Sequence, residues 1–386
     1  MSATGTPADD LHPDPVTEPP DAVAVAARAH GPASLAPAAW ARARRAIMVA
    51  TGVVASLYLF TLALQLLSAG APGVAHVLTT LSVGSVPNFI GFGWLAAYGA
   101  LSGSPVAALA LSLLDGGAVD QRGAVAMLAG SRMGASLIVL LVGFVAYVRG
   151  RGRPDGVYVG VVALLTTVAT YVPATPLALW LLGTGALDAP ADAIPTGWAD
   201  LPAAAVAPLL GLAEGTPGVV LMVMGVGTLL AAFALFDRLL PNLDPPSARF
   251  ERLSRRFRSP RAMFILGALV TSITMSVSLS VTILVPLTLK NIVHRRGVIP
   301  YVMGANITTF LDTLFASLLL QTEGGAPVVL AEMLAVAIVS VAVLLLAWGP
   351  FSSALLAAGE RVSTRRAYLA AFMAVLFVVP LGLLLL

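Results

Sequence analysis

The sequence predicts an all-α membrane protein of two inverted-topology repeats, each with one re-entrant hairpin and three transmembrane spans, plus one extra C-terminal span. Three observations predict it. The 386 residues are 58% hydrophobic and only 11% charged, against about 25% charged in a soluble domain. Arginine clusters flank the long apolar runs. A shift of 174 residues lays one polar-interrupted apolar stretch on another without gaps.

A chain with so few charges cannot coat a water-facing surface. Ala46–Ser68, Gly156–Leu182 and Ala367–Leu386 each reach the roughly 20 apolar residues that cross a bilayer. Cysteine is absent, which excludes a disulfide framework, a thiolate metal site and a cysteine nucleophile. His12, His30, His76 and His294 show no metal-ligand spacing, so no zinc or di-metal centre is expected.

Residues 1–38 hold seven prolines by Pro37. They lack the basic start and apolar run of a signal peptide, and their composition predicts a disordered cytoplasmic tail. Basic residues then set the orientation, because Arg and Lys concentrate on the cytoplasmic side. Arg42, Arg44 and Arg45 place the start of the first span inside, so the N-terminus is predicted cytoplasmic in a multi-pass plasma-membrane protein. Arg149, Arg151 and Arg153, the Arg-rich segment Asp237–Arg261, and Arg361 with Arg365 and Arg366 mark further inside points. The acidic stretch Asp188–Asp200 marks an outside loop.

Two stretches, roughly Val86–Asp115 and Met263–Lys290, are apolar but broken in the middle by Ser and Gly. The charge marks close only if each leaves on the side it enters, so both are read as re-entrant hairpins. Irregular backbone at membrane depth is tolerated where protein buries it or it lines a cavity. The first repeat (39–204) comprises 46–68, the hairpin 86–115, 123–148 and 157–182. The second (205–350) comprises 217–236, the hairpin 263–290, 298–320 and 327–348; a last span, 367–386, closes the region 351–386. Three crossings per repeat force the second copy to insert upside down.

The 174-residue shift gives ten identities in the 45 positions from Gly93 to Leu137. Among them Gly93 falls on Gly267, Ser102 on Ser276, Ser104 on Ser278, Arg122-Gly123 on Arg296-Gly297 and Gly130 on Gly304. Each tip, Leu101-Ser102-Gly103-Ser104 or Met275-Ser276-Val277-Ser278, precedes a Gly-marked segment: Gly130-Ser131-Arg132-Met133-Gly134 or Gly304-Ala305-Asn306-Ile307-Thr308-Thr309. Broken helices offer N–H groups to anions and carbonyls to cations. The competing reading is that these small residues only let helices pack closely. Inverted repeats with broken helices are a common build of secondary transporters.

Arg132 lies about ten residues into a span, where an unpaired charge costs about 2.5–3.5 kcal/mol or more. Its planar fork suits an anionic substrate. Alternatively it pairs with a buried carboxylate, with Asp312 in the matching span as the candidate, or snorkels to an interface. Asp312 is also a candidate coupling-ion or proton site. Glu214 reads as interfacial, and Lys290 with Arg295 and Arg296 as orientation marks. No P-loop, His-Glu-x-x-His or Ser/His/Asp arrangement is present in the sequence, so no enzymatic activity and no cofactor are expected.

Over roughly residues 46–348 these clusters resemble the sodium–phosphate cotransporter family. That family carries two inverted repeats, each with a Gln-Ser-Ser-Ser tip followed by a Gly-Ala-Asn-Ile-Gly-Thr-Thr-like segment. Residues 304–309 are similar to that segment, and Gly267, Thr271, Ser276 and Ser278 fit the second hairpin. Leu101 and Met275 stand at the tip Gln positions, Gly103 and Val277 at the middle Ser, and Arg132 at an Asn. The resemblance implies symport of a small inorganic or organic anion, phosphate among them, coupled to Na+. Substrate binding falls to Ser102, Gly103, Ser104, Ser131, Arg132, Ser276, Ser278 and Asn306. Ion binding falls to Thr271, Ser276, Ser278, Asn306, Thr308, Thr309 and Asp312. The implied partners are membrane lipid and the anion, with no nucleic acid and with a homodimer allowed. Rival expectations keep the fold but couple to protons or move a lipid or organic phosphate, or make the chain a transport-inactive subunit that binds a partner protein.

Overall fold

The computed structural model describes residues 35–80, 83–141, 155–239, 259–275, 280, 281, 284, 288 and 293–386. The predicted tail to residue 34, the Arg149–Arg153 cluster, most of the Arg-rich 237–261 segment, Ser276, Ser278 and Lys290 lie outside them. By internal contacts the chain divides into Met1–Thr51 and Gly52–Leu386. In the first unit, residues 35–51 are helical and Trp40, Ile47 and Met48 are exposed. The second unit holds the rest of that helix and all later elements.

Every regular element among the described residues is helical. In chain order they are α1 (Leu35–Thr80), α2 (Val86–Ala100), α3 (Ser104–Asp115), α4 (Gln121–Ala135), α5 (Asp155–Gly183), α6 (Asp188–Asp192) and α7 (Asp200–Leu212). Then come α8 (Gly218–Leu239), α9 (Pro260–Thr274), α10 (Arg295–Thr308), α11 (Phe310–Leu320), α12 (Gly325–Ala342), α13 (Trp348–Thr364) and α14 (Arg366–Leu384). Seven described helical segments are long and apolar enough to cross a membrane. They fall on the seven spans read from hydropathy, and they give the chain the build of a multi-pass helical membrane protein.

The boundaries follow from local chemistry. The Ser85 hydroxyl accepts from the Asn88 N–H at the start of α2, while Asn88 Oδ1 accepts from the Ser85 N–H at 2.9 Å, a reciprocal cap. The Ser259 hydroxyl caps α9 by accepting from Ala262 N–H, and Asp120 caps α4 through Gly123 N–H at 2.7 Å. Both α2 and α9 are 15 residues long and end on a non-glycine residue in the left-handed conformation, Leu101 (φ 48°) and Met275 (φ 49°).

The α2–α4 and α9–α10 pairs are built on matching contacts. A Cβ at Gly93 would run into the carbonyl of Met127, and one at Gly130 into that of Ile90. In the second pair Gly267 meets Tyr301 and Gly304 meets Phe264. Each of these four pairings has its counterpart 174 positions away. Backbone thus lies on backbone at both crossings, the use that small residues serve in membrane helix packing.

Some boundaries differ from the reading of the sequence. Helix α1 begins before residue 46, and the acidic stretch after Leu187 forms α6 and leads into α7 rather than one loop. The span read as 327–348 continues as α12, a π-helical turn Val343–Ala347 and α13 to Thr364. Hydropathy alone does not end a helix that an amphipathic segment can prolong. The last helix, α14, packs on α2: Asn88 Nδ2 donates to the carbonyls of Leu383 (3.3 Å) and Leu384 (3.1 Å), and Tyr98 Oη to that of Leu376 (2.8 Å). Helices α4 and α5 are the most enclosed, whereas α8 and α14 present apolar side chains outward.

Candidate functional site

Arg132 sits near the end of α4, in its most buried stretch, and its side chain is 4% exposed. The guanidinium crosses to α11. Nη1 donates to Thr309 Oγ1 at 3.1 Å and to Ser104 Oγ at 3.4 Å. Nη2 donates to Thr313 Oγ1 at 2.6 Å, and lies 3.3 Å from Asp312 Oδ1 and 3.4 Å from the Thr309 carbonyl. The Thr313 hydroxyl in turn donates a hydrogen bond to Asp312 Oδ1 at 2.8 Å. The Phe310 ring covers the guanidinium at 4.9 Å. Arg132 Nε and Asp312 Oδ2 are buried and have no hydrogen-bond partner among the described residues.

The break between α10 and α11 makes this possible. Thr309 lies between the two helices, so its hydroxyl and its carbonyl are both offered to the guanidinium. Gly103, at the turn between α2 and α3, packs on α4 at Ser131 and Ala135, with Arg132 Nη1 beside it. A Cβ there would meet Ser131 O and Ala135 Cβ at 3.0 Å, so even a methyl group is a tight fit.

A cavity of about 210 Å³ lies against this cluster. Leu101 and Met275, the left-handed residues that end α2 and α9, line it, with Ser102, Ser104, Thr274 and Asp237 among its polar groups. Ser104 is the link, because it lines the cavity and accepts from Arg132. A second cavity of similar size, about 210 Å³, is lined by Asp312, Phe60 and Phe315 and shares Phe233 and Phe236 of α8 with the first.

The fold therefore brings together Ser102, Gly103, Ser104, Arg132, Thr309 and Asp312 of the residues singled out from sequence. Others are engaged elsewhere. Ser131 donates to the Leu128 carbonyl at 2.8 Å within its own helix. Thr271 donates to Ser280 at 2.8 Å, and Ser280 lies 2.9 Å from Tyr301 Oη. Asn306 donates to Thr167 at 3.3 Å while its carbonyl accepts from Tyr171 at 3.3 Å. Thr308 donates to the Ala268 carbonyl at 2.9 Å.

Sequence reasoning missed Thr313, Phe310, Tyr171 and Glu332. Glu332 lies fully buried in α12 and neither of its oxygens has a hydrogen-bond partner among the described residues. Its signal was available, since it is a carboxylate inside an apolar run read as a span. Tyr171 of α5 is fully buried and within electrostatic reach of Arg132, Glu332 and Asp312. Thr313 gave no signal beyond adjacency to Asp312.

Chemically, the cluster is one fixed cation neutralised by one carboxylate and solvated by hydroxyls. An anion that reaches the guanidinium shares its single positive charge with Asp312. No protein-family model matches the chain, and neither a curated protein nor a solved structure matches it.

Proposed function

We propose that the chain is a secondary active transporter of a small anion, inorganic phosphate or a compound of that class, resembling the sodium-coupled phosphate symporters. In this reading α2–α3 and the segment that begins with α9 are the re-entrant hairpins of two inverted repeats, and the halves alternate access around their tips. One observation carries it: Leu101 and Met275, 174 positions apart and in the same left-handed turn, line one cavity with Ser102, Ser104 and Thr274. The matched glycine crossings at Gly93 and Gly267 support the same reading. Arg132, bonded to Ser104 behind the cavity, supplies the positive charge that recognises the anion.

Uptake of labelled phosphate into proteoliposomes, with and without a sodium gradient, tests it. Gradient-driven accumulation that R132Q abolishes is the expected result. Uptake that equals protein-free vesicles for phosphate and for other small oxyanions rejects transport.

A second reading concerns the coupling ion. Asp312 already draws on the charge of Arg132, so an arriving anion leaves two buried negative charges to share one positive one. Taking up a proton relieves that cost. This favours proton coupling over sodium, and a pH gradient in place of the sodium gradient separates the two.

A further inference from the structure

The Arg132 cluster contains one guanidinium and two carboxyl groups. Asp312 holds the guanidinium at 3.3 Å. Glu332, from α12, lies in the field of the same guanidinium, is fully buried, and has no hydrogen-bond partner on either oxygen among the described residues. Arg132 in turn keeps one donor, Nε, buried and unused. Nothing in the proposed function assigns Glu332 a role.

Only one of the two carboxylates can be compensated by Arg132 at a time. An ionised carboxylate without a counter-ion at membrane depth costs about 2.5–3.5 kcal/mol even on the mildest scales. A carboxyl group in that position is retained at such cost chiefly where it carries an ion or a proton.

We propose that Glu332 is a proton-carrying site that trades places with Asp312 as the partner of Arg132. With the guanidinium on Asp312, as in this structure, Glu332 holds the proton. When the guanidinium turns to Glu332, its O–H bond breaks and the carboxylate takes the positive partner. That same proton forms the O–H bond on Asp312, which lines a cavity, so one proton moves from one carboxyl group to the other. Charge in the buried cluster is conserved throughout. The inference deepens the transport reading and rests on it for its purpose: it names the proton as the coupling ion and Glu332 as a second place that holds it.

Other ionisable groups do not supply the alternative partner. The helices packed against α12 are α3, α4, α5, α6, α10 and α11. Arg132 of α4 and Asp312 of α11 are the pair already described, and Tyr171 of α5 donates to the Asn306 carbonyl. Tyr301 of α10 is engaged with Ser280. Asp115, Arg122, Asp188, Asp192, Arg295 and Arg296 occupy the terminal residues of their helices, whereas Glu332 is the eighth residue of α12.

The test is the infrared C=O band of protonated carboxyl groups, measured on the purified full-length protein at neutral pH. The wild type is expected to show a band that E332Q lacks. D312N is expected to lose the same band, because the released guanidinium takes Glu332 as its counter-ion. A buried glutamate with a merely structural role keeps its band in D312N. R132Q is expected to keep the Glu332 band and gain a second from Asp312, and it serves where D312N fails to fold. A wild-type spectrum that E332Q leaves unchanged overturns the proposal, as does retention of the band in folded D312N or no gained band in folded R132Q. A transport arm measures phosphate uptake under a pH gradient, where E332Q is expected to lose the stimulation by the gradient while phosphate–phosphate exchange persists. Wild-type stimulation retained in E332Q overturns the proposal. Failure of all uptake in the wild type strikes the transport reading, and the infrared outcomes still decide the proton site.

Discussion

Leu101 and Met275 adopt the same left-handed backbone, φ 48° and 49°, and line the same cavity. Neither is glycine, and a residue with a Cβ in that conformation costs roughly 1–2 kcal/mol. Leu101 is also 60% exposed, so its side chain returns little by burial. L101G is therefore expected to hold or raise thermal stability, by up to about 1 kcal/mol, while L101V lowers it because a β-branched residue resists positive φ. Unfolding of the detergent-solubilised protein, followed by loss of the monodisperse chromatography peak on heating, reads the order of the three. A loss of stability in L101G shows that the Leu101 side chain makes a contact that outweighs the strain.

The glycine crossings predict a second result. Adding one methyl group at Gly267 or Gly304 drives it into the carbonyl of Tyr301 or Phe264, and at Gly93 into that of Met127. Backbone cannot swing aside as a side chain can, so G93A, G267A and G304A are each expected to destabilise by about 1–3 kcal/mol or more. Gly99 and Gly227 meet nothing within 4 Å at a Cβ, and their alanine variants serve as controls expected near wild type. Equal melting temperatures for G267A and G227A would contradict the close crossing.

These relationships were partly legible in the residues alone. Gly93, Gly130, Gly267 and Gly304 stood out because a helix crossing demands a missing side chain, and that demand survives sequence drift. The Arg132–Asp312 pair was legible for a related reason, since an arginine at membrane depth needs a counter-charge. Thr313 was not legible, because a hydroxyl on an apolar helix looks the same whether it bonds its own helix, as Thr166 does with the Val162 carbonyl, or a neighbouring cation. The ends of α12 were not legible either. A π-helical turn at Val343–Ala347 carries no apolar period that distinguishes it from α-helix. The engagement of Asn306 with Thr167, and of Thr271 with Ser280, depends on which helices meet, and spacing along one chain does not encode that.

The buried pair makes a third prediction. Removing one partner leaves an uncompensated charge, which typically costs about 3–5 kcal/mol. R132M, which leaves Asp312 behind, is expected to be strongly destabilised. The double variant R132M/D312L removes both charges and is expected to recover most of that loss. A double-mutant cycle on thermal or denaturant unfolding gives the coupling between them. Additive losses, with no recovery in the double variant, would mean that the two side chains do not compensate each other.

Thr313 and Ser104 separate stability from binding. Thr313 Oγ1 accepts from Arg132 Nη2 at 2.6 Å and donates to Asp312 at 2.8 Å, and it lines neither cavity. T313V keeps the shape and strips two hydrogen bonds from a buried charge, so a loss of about 1–3 kcal/mol of stability is expected. Ser104 contributes only a 3.4 Å contact to Arg132 but faces the tip cavity. S104A is therefore expected to leave the melting temperature near wild type and to raise the KM for phosphate about fivefold, corresponding to about 1 kcal/mol of lost binding. Concentration-dependent uptake in proteoliposomes reads this directly. If T313V rather than S104A carries the KM change, the anion meets Arg132 from the α11 side, and the tip cavity is not its binding place.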